Sequence, residues 1–348
     1  MTKFSIFGNL RMPAEWEKQK STWIAWPHNK KDWPNKFDSI PEIFAKIIFH
    51  ISQDQRVNIL IENVVLKKRA ILILKKFKVK FSNIRFNLCK TNRVWLRDSF
   101  PIFVKSDKKK KVLINWKFNS WAKYKDFKKD DNIINRVKKV LNLGTISPRF
   151  KKKRVVLEGG AIDVNGKGVL IATEECLLSK TQQRNPGLNK PDYEKLFLDY
   201  FGVRKVIWLK RGIIGDDTHG HIDDIARFVS VNKIFLAYEK NKKDVNYKIL
   251  NNNHKIIKKF DGLKNLKIVK IPMPTSKYIE GTRVPASYLN FYIANKLVLV
   301  PTFKDKKDNL VLKIFKKHFK NRTIVPIDCS VLIWGFGAVH CMTQQEPR

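Results

Sequence analysis

Cys341 follows a glycine-containing turn, Gly335-Phe336-Gly337, and the run Asp216-Asp217-Thr218-His219-Gly220-His221-Ile222-Asp223-Asp224 sets imidazoles among carboxylates. With Arg97-Asp98 and Glu158-Gly159-Gly160 upstream, the chain holds a candidate thiol nucleophile, a candidate proton carrier and carboxylates able to hold a cation. Such a set can drive sulfur onto an electrophilic carbon while a histidine moves protons. The glycines let backbone approach a ligand closely, and the Thr343-Gln344-Gln345 stretch reads as unlike a core strand. If the chain is extended at 340–341, His340 and Cys341 point to opposite faces, so Cys341 must find its base elsewhere. In an extended 219–223, His219, His221 and Asp223 share a face and Asp224 turns away.

Each motif also has a plainer reading. A lone cysteine is usually a small buried hydrophobe. His219, His221 and Asp223 could instead hold a metal ion, although no third histidine stands at ligand spacing. Arg97 could simply pair with an acid, and Trp95 could be a buried core residue.

Composition narrows the class. A chain of 348 residues can bury about three quarters of the surface that its unfolded form exposes, and a single domain over 1–348 is expected. Lys and Arg number 71 against 31 Asp and Glu, a formal charge of +40, which raises nucleic acid or a membrane surface as partners. The lysines are spread along the chain, with short runs only at 108–111 and 151–153, and no nucleic-acid-binding signature accompanies them. A solvated basic surface is therefore expected rather than a specific nucleic-acid site. The four cysteines, Cys89, Cys176, Cys329 and Cys341, show no CxxC spacing, so neither a disulfide framework nor a cysteine-rich metal site is suggested. The first ten residues lack a leader-like apolar core, and no apolar run of about 18 residues occurs. A cytoplasmic protein without a membrane span is the expectation.

The elements that must position these residues are repeated. From 160 to 326 the same order recurs three times: a two-strand hairpin, a helix, then a strand. The hairpins span 161–173, 226–238 and 288–300, with turn asparagines at Asn165, Asn232 and Asn295; helices are expected over 191–200, 247–260 and 310–319, and strands over 203–209, 266–271 and 323–325. A looser copy spans 102–156. At the N-terminus, Thr22–Trp26 and Arg56–Ile61 flank a helix whose apolar Ile40, Ile43, Phe44, Ile47, Ile48 and Ile51 form one stripe. Five ββαβ-like units, each with an apolar face it cannot cover alone, point to an α/β fold of modules around a common axis, with a pocket at the centre, the alternative being an open mixed α/β sheet with repeated hairpins.

The motifs taken together are Met12-Pro13-Ala14-Glu15-Trp16-Glu17, Thr22-Trp23-Ile24-Ala25-Trp26-Pro27, Trp95-Leu96-Arg97-Asp98, Glu158-Gly159-Gly160, Thr173-Glu174-Glu175-Cys176-Leu177-Leu178 with Arg184-Asn185-Pro186, Gly220-His221-Ile222-Asp223 with Ala226-Arg227-Phe228, Ser287-Tyr288-Leu289-Asn290-Phe291-Tyr292, and His340-Cys341-Met342-Thr343-Gln344-Gln345. In this order and over nearly the whole chain, the set resembles the agmatine deiminase and bacterial-type peptidylarginine deiminase family. The resemblance implies a five-unit pseudo-symmetric α/β propeller and hydrolysis of agmatine to N-carbamoylputrescine and ammonia, in putrescine synthesis or arginine catabolism. It implies Cys341 as nucleophile, His221 as general acid/base, Asp98 and Asp223 as the guanidinium clamp, and Glu158 as the residue orienting His221. Trp95 is expected against the substrate's flat face, and Arg97 and His219 as structural. No metal or organic cofactor is implied; a small cationic guanidine is the expected partner, and a homo-oligomer the expected assembly. Phe100 and Phe336 stand where the family usually has glycine, and each is expected to set a phenyl ring beside the site.

Overall fold

Strand, helix and strand alternate through the computed structural model, which describes residues 8–108 and 110–348. The N-terminal stretch read for a leader lies largely outside the described residues, as does Lys109 of the first lysine run. The fold is α/β, and three sheets reproduce the repeat. Strand Ile162–Val164 pairs antiparallel with Val169–Thr173, which pairs parallel with Lys205–Leu209. Ala226–Ser230, Lys233–Tyr238 and Lys267–Pro272 repeat that pattern, as do Tyr292–Ile293, Leu297–Thr302 and Thr323–Asp328. Between the second and third strands of each sheet run the helices Lys190–Phe201, Val245–Lys258 and Asp308–His318. A parallel neighbour requires such a crossover, whereas the antiparallel pair needs only a turn.

The local sequence explains the boundaries. Helix Lys190–Phe201 starts at a capping box in which the side chains of Asn189 and Asp192 each accept from the other's backbone N–H. It stops at Gly202, whose φ of 67° suits a residue without a Cβ. Helix Ile40–Ser52 buries Ile40, Phe44, Ile47, Ile48 and Ile51, while Ile43 is half-buried. This is the stripe its spacing predicts.

The looser copy is strand Ile102–Ser106 antiparallel to Lys111–Ile114, with Gly144–Ile146 parallel beside it. The N-terminal copy differs from the expectation. Gln19–Ala25 pairs parallel with Arg56–Ile61 and so on to Ile84–Leu88, while its antiparallel mate is Gln344–Pro347 from the far end of the chain. The polar Gln344-Gln345 stretch is therefore a strand, and all four of its residues are buried. Its polar side chains are largely satisfied: Gln345 accepts from Arg97 at 2.7 Å, and Glu346 accepts from Ser21 at 2.6 Å and Lys111 at 2.7 Å. Among the described residues no helix is long and apolar enough to cross a membrane.

Candidate active site

Every residue of the predicted set sits just before the first strand of a unit. Asp98 lies in the turn Leu96–Ser99 ahead of Ile102–Ser106, and Glu158 ahead of Ile162–Val164. Asp223 lies in the turn Ile222–Asp224 ahead of Ala226–Ser230, and Cys341 ahead of Gln344–Pro347. The fifth unit places Asn290 at the corresponding point, ahead of Tyr292–Ile293.

The structure brings these side chains together. Cys341 Sγ lies 3.7 Å from Asp223 Oδ2. Asn290 fixes the thiol: its Oδ1 accepts from the backbone N–H of His340 at 2.9 Å and Cys341 at 3.2 Å, and its Nδ2 donates to Sγ at 3.0 Å and to Asp224 Oδ1 at 3.1 Å. Asp98 accepts from Trp121 Nε1 at 2.9 Å and from the Gly160 N–H at 3.0 Å. Its Oδ1 is 3.8 Å from His221 Nδ1. A Cβ on Gly160 would stand 2.6 Å from His221 Nδ1, 2.7 Å from Asp98 Oδ1 and 3.2 Å from Asp223 Oδ2, so only glycine leaves the three groups room to converge.

The electrostatics follow from burial and charge. Burial, with the negative neighbours Asp223 and Glu158, raises Asp98 to about 6 in spite of His221. Burial also works against the Asp223 anion, but the hydrogen bond and charge of His340 outweigh it and hold that carboxyl below the usual range. His221 is disfavoured as a cation by burial, yet Asp98, Cys176 and Glu158 push it well above the usual imidazole value. Burial and the carboxylates Asp223, Asp224 and Asp98 raise the Cys341 thiol well above its usual range. Burial and negative neighbours thus disfavour the thiolate, and positive charge beside Sγ would favour it.

Two arginines and a histidine hold the carboxylates. Glu158 pairs with Arg184 at 3.0 Å, both side chains fully buried. His340 bridges Asp223 at 2.7 Å through Nδ1 and Glu15 at 2.8 Å through Nε2. Arg227 donates to Asp163 at 2.6 Å and lies 3.0 Å from Glu15. Asp223 Oδ1, Glu158 Oε2 and both ring nitrogens of His221 are among the buried polar atoms that make no hydrogen bond among the described residues. They leave acceptors and proton-transfer atoms open to a ligand.

A cavity of about 460 Å³ opens onto Asp98 and Cys341, walled by Trp95, Trp121, Trp334 and Phe336, with Asp32, Asp126 and Asp217 among its further lining residues.

Residues 11–347 match the family described as Porphyromonas-type peptidyl-arginine deiminase. The chain belongs to this family. A Mycoplasma capricolum protein named "Putative agmatine deiminase" is 31% identical, over 97% of this chain and 95% of its own length. Among solved structures, a cysteine-to-serine variant of C. jejuni agmatine deiminase with substrate bound is 28% identical, with a TM-score of 0.86 over 97% of this chain and 96% of that one. The agmatine deiminase of Enterococcus faecalis is 29% identical, with a TM-score of 0.87 over 98% and 96%.

Seen as a deiminase of this family, the chain departs from the sequence expectations at several points. The segment 219–223 is not extended: His219 has φ 64°, Gly220 has φ 92°, and 222–224 form a tight turn. His219 is carried away to Ser179 Oγ at 3.3 Å, so it does not join His221 and Asp223 as a metal set. The donors that do cluster within 4.8 Å are those of Glu158, Cys176 and His221, of which Glu158 already serves Arg184. His340 is not turned from the site, since residues 340–342 form a turn and its ring grips Asp223. Glu158 makes no hydrogen bond to His221 and acts on it through charge. Phe336 does line the cavity, but Phe100 packs into the core on Trp23 at 5.0 Å and Phe103 at 6.0 Å. Trp95 lines the cavity while packing on Trp33, 5.6 Å away, and closely against Gly335 and Gly337. The contacts of Asn290, Trp121 and Glu15 are not foreshadowed by any local motif, and His340, expected to face away, is part of the site; the repeat is the signal that could have pointed to Asn290.

Proposed function

We propose that this chain is an agmatine deiminase, hydrolysing the guanidinium of agmatine to N-carbamoylputrescine and ammonia through a covalent thiouronium on Cys341, in putrescine synthesis or arginine catabolism. The observation that carries the reading is the Cys341 sulfur 3.7 Å from a buried carboxylate of Asp223, beside Asp98 on the wall of a cavity sized for a small molecule. The substrate-bound relative from C. jejuni, with serine in place of a cysteine, supports agmatine as the occupant.

A guanidinium of pKa about 12.5 or more stays charged, and carboxylates match its N–H forks. In the proposed roles, Asp98 and Asp223 grip the cation and place its carbon before the sulfur. The incoming charge offsets the carboxylates that hold the thiol up, so Cys341 ionises when substrate is present and its proton leaves to solvent, where the released ammonia takes it up. Thiolate attack gives a tetrahedral adduct; His221, protonated at rest, gives its proton to the departing ammonia. The neutral His221 then takes a proton from water as the hydroxide adds to the thiouronium carbon. Collapse forms the ureido carbonyl, breaks the C–S bond and returns a proton to sulfur. Glu158 sustains the positive form of His221, and Trp95 walls the substrate's flat side.

The wider proposal keeps the five-unit propeller, which the five like-patterned sheets support, a single domain over 1–348, a cytoplasmic setting and a homo-oligomer. Light scattering of the purified chain tests the last.

The decisive experiment measures ammonia and ureido product from agmatine, arginine and a peptidyl-arginine, with the parent chain and Cys341→Ala. Turnover of agmatine that disappears in the variant is expected. Turnover of peptidyl-arginine alone would favour the activity named in the family's description, and no turnover of any guanidine would sink the reading.

A further inference from the structure

We propose that the cleft beside the hairpin of Arg149–Phe150 and Lys153–Arg154 is a binding site for an oligophosphate anion, separate from the deiminase site. The cleft encloses about 750 Å³ and shares no lining residue with the cavity at Cys341. Lys117, Arg149, Lys151, Lys152, Lys153 and Arg154 line its near side, and Arg184, committed to Glu158, lines its far side. Among the described residues no carboxylate lines it, whereas the cavity at Cys341 sets Lys31 and Arg93 against Asp32, Asp126 and Asp217. Arg154 is committed to Asp131 at 2.8 Å. The ammonium groups of Lys117, Lys151, Lys152 and Lys153 have no ion pair among the described residues.

The backbone supplies an independent observation. Strands Arg149–Phe150 and Lys153–Arg154 are joined by Lys151 and Lys152 alone, and both have positive φ, 44° and 69°. A two-residue hairpin of that kind selects Asn-Gly, because residues with a Cβ resist the left-handed region. Lys-Lys is poor turn chemistry there, and it crowds like charges into one tight loop that already adjoins two more. Strain retained at a concave surface marks sites where the side chain is needed. Phosphate oxygens are the acceptors that such a ring of ammonium and guanidinium groups suits. A volume of this size takes a chain of a few phosphates, with or without a nucleoside.

Titration calorimetry of the intact chain with inorganic tripolyphosphate and with ATP, at about 0.15 M salt to screen long-range attraction, tests the site. The informative variant is Lys151→Asn with Lys152→Gly, which installs the residues the turn prefers. Its melting temperature should equal or exceed the parent's and its guanidine turnover should match, so weakened binding cannot be blamed on misfolding. The control, Lys316→Gln with Lys317→Gln, removes the same charge from an exposed helix. We expect one tripolyphosphate per chain, about tenfold weaker or more in the turn variant and within about twofold in the control. Binding of ATP as well would identify a nucleotide as a possible source, and binding of tripolyphosphate alone an inorganic one. Equal weakening by both variants would assign the effect to the field of the whole +40 chain and overturn the proposal. So would an absence of saturable binding, or affinity only for long oligonucleotides.

Discussion

Asp98 and Cys341 set the pH response. Because burial and its negative neighbours raise Asp98 to about 6, the proposed clamp loses the Asp98 charge as pH falls through that value, while Asp223, held low by His340, keeps its own. The expected kcat/KM of the free enzyme therefore falls on the acid side of about 6, approaching tenfold per pH unit; an acid limb that stays flat to pH 4 would contradict the clamp role. Gly160 tests the convergence of the groups. In Gly160→Ala a methyl would stand within 2.7 Å of His221 and Asp98 atoms, so one must move. Overpacking of this kind costs about 1–3 kcal/mol, and a shift of about 1 Å in a catalytic group can cost about 100-fold in rate. Circular dichroism should show a folded variant with kcat reduced by that order or more. Cys341, His221, Asp98, Asp223 and Glu158 could be singled out in the sequence because the motifs that hold them, weak one by one, together resemble a family, and the structure gathers them at one place. His340 and Glu15 were not, because their roles depend on a contact between residues 325 apart in the chain, and no local pattern encodes it.

The turn that precedes the first strand of each unit is the element that delivers function. Five units supply Asp98, Glu158, Asp223, Asn290 and Cys341 from equivalent places, so one supersecondary pattern, repeated, gathers groups scattered over the chain. The hairpin, helix and strand of three units were legible from turn asparagines and apolar periodicity. The strand Gln344–Pro347 was not, because its polar residues are buried against partners from elsewhere, such as Arg97 on Gln345. The segment before Cys341 is itself strained: the short helical turn Leu332–Gly335 ends on Phe336 at φ 62°, a region that costs a non-glycine residue about 1–2 kcal/mol. Phe336→Gly removes that strain and a ring from the cavity wall. It is expected to leave thermal stability unchanged or slightly raised while lowering KM for guanidines bulkier than agmatine. A steep loss of stability with unaltered substrate range would show that the ring serves packing rather than selection.

On the scale of the molecule, Glu346 ties distant units together, accepting from Ser21 in the N-terminal sheet and Lys111 in another. Burial disfavours its anion, but Lys111 and Ser21 more than offset this and hold its pKa below the usual value. A depressed carboxyl stabilises the fold above the ordinary carboxylate range, about 4.3, and that contribution is lost as pH falls through the folded value. Glu346→Gln should accordingly lower Tm near pH 7, since a hydrogen bond to a charged group is worth about 1.5–3 kcal/mol. The gap from the parent should narrow toward pH 3; a gap independent of pH would place the loss in shape rather than charge. The same strand has a consequence for synthesis. The chain's opening sheet waits for a mate some 325 residues later, and the sulfur arrives with that mate. A ribosome thus exposes Asp98, Glu158, His221 and Asp223 while Cys341 is still in the making, so a copy cut short before that strand lacks both the sulfur and the His340 ring that bridges Asp223 to Glu15.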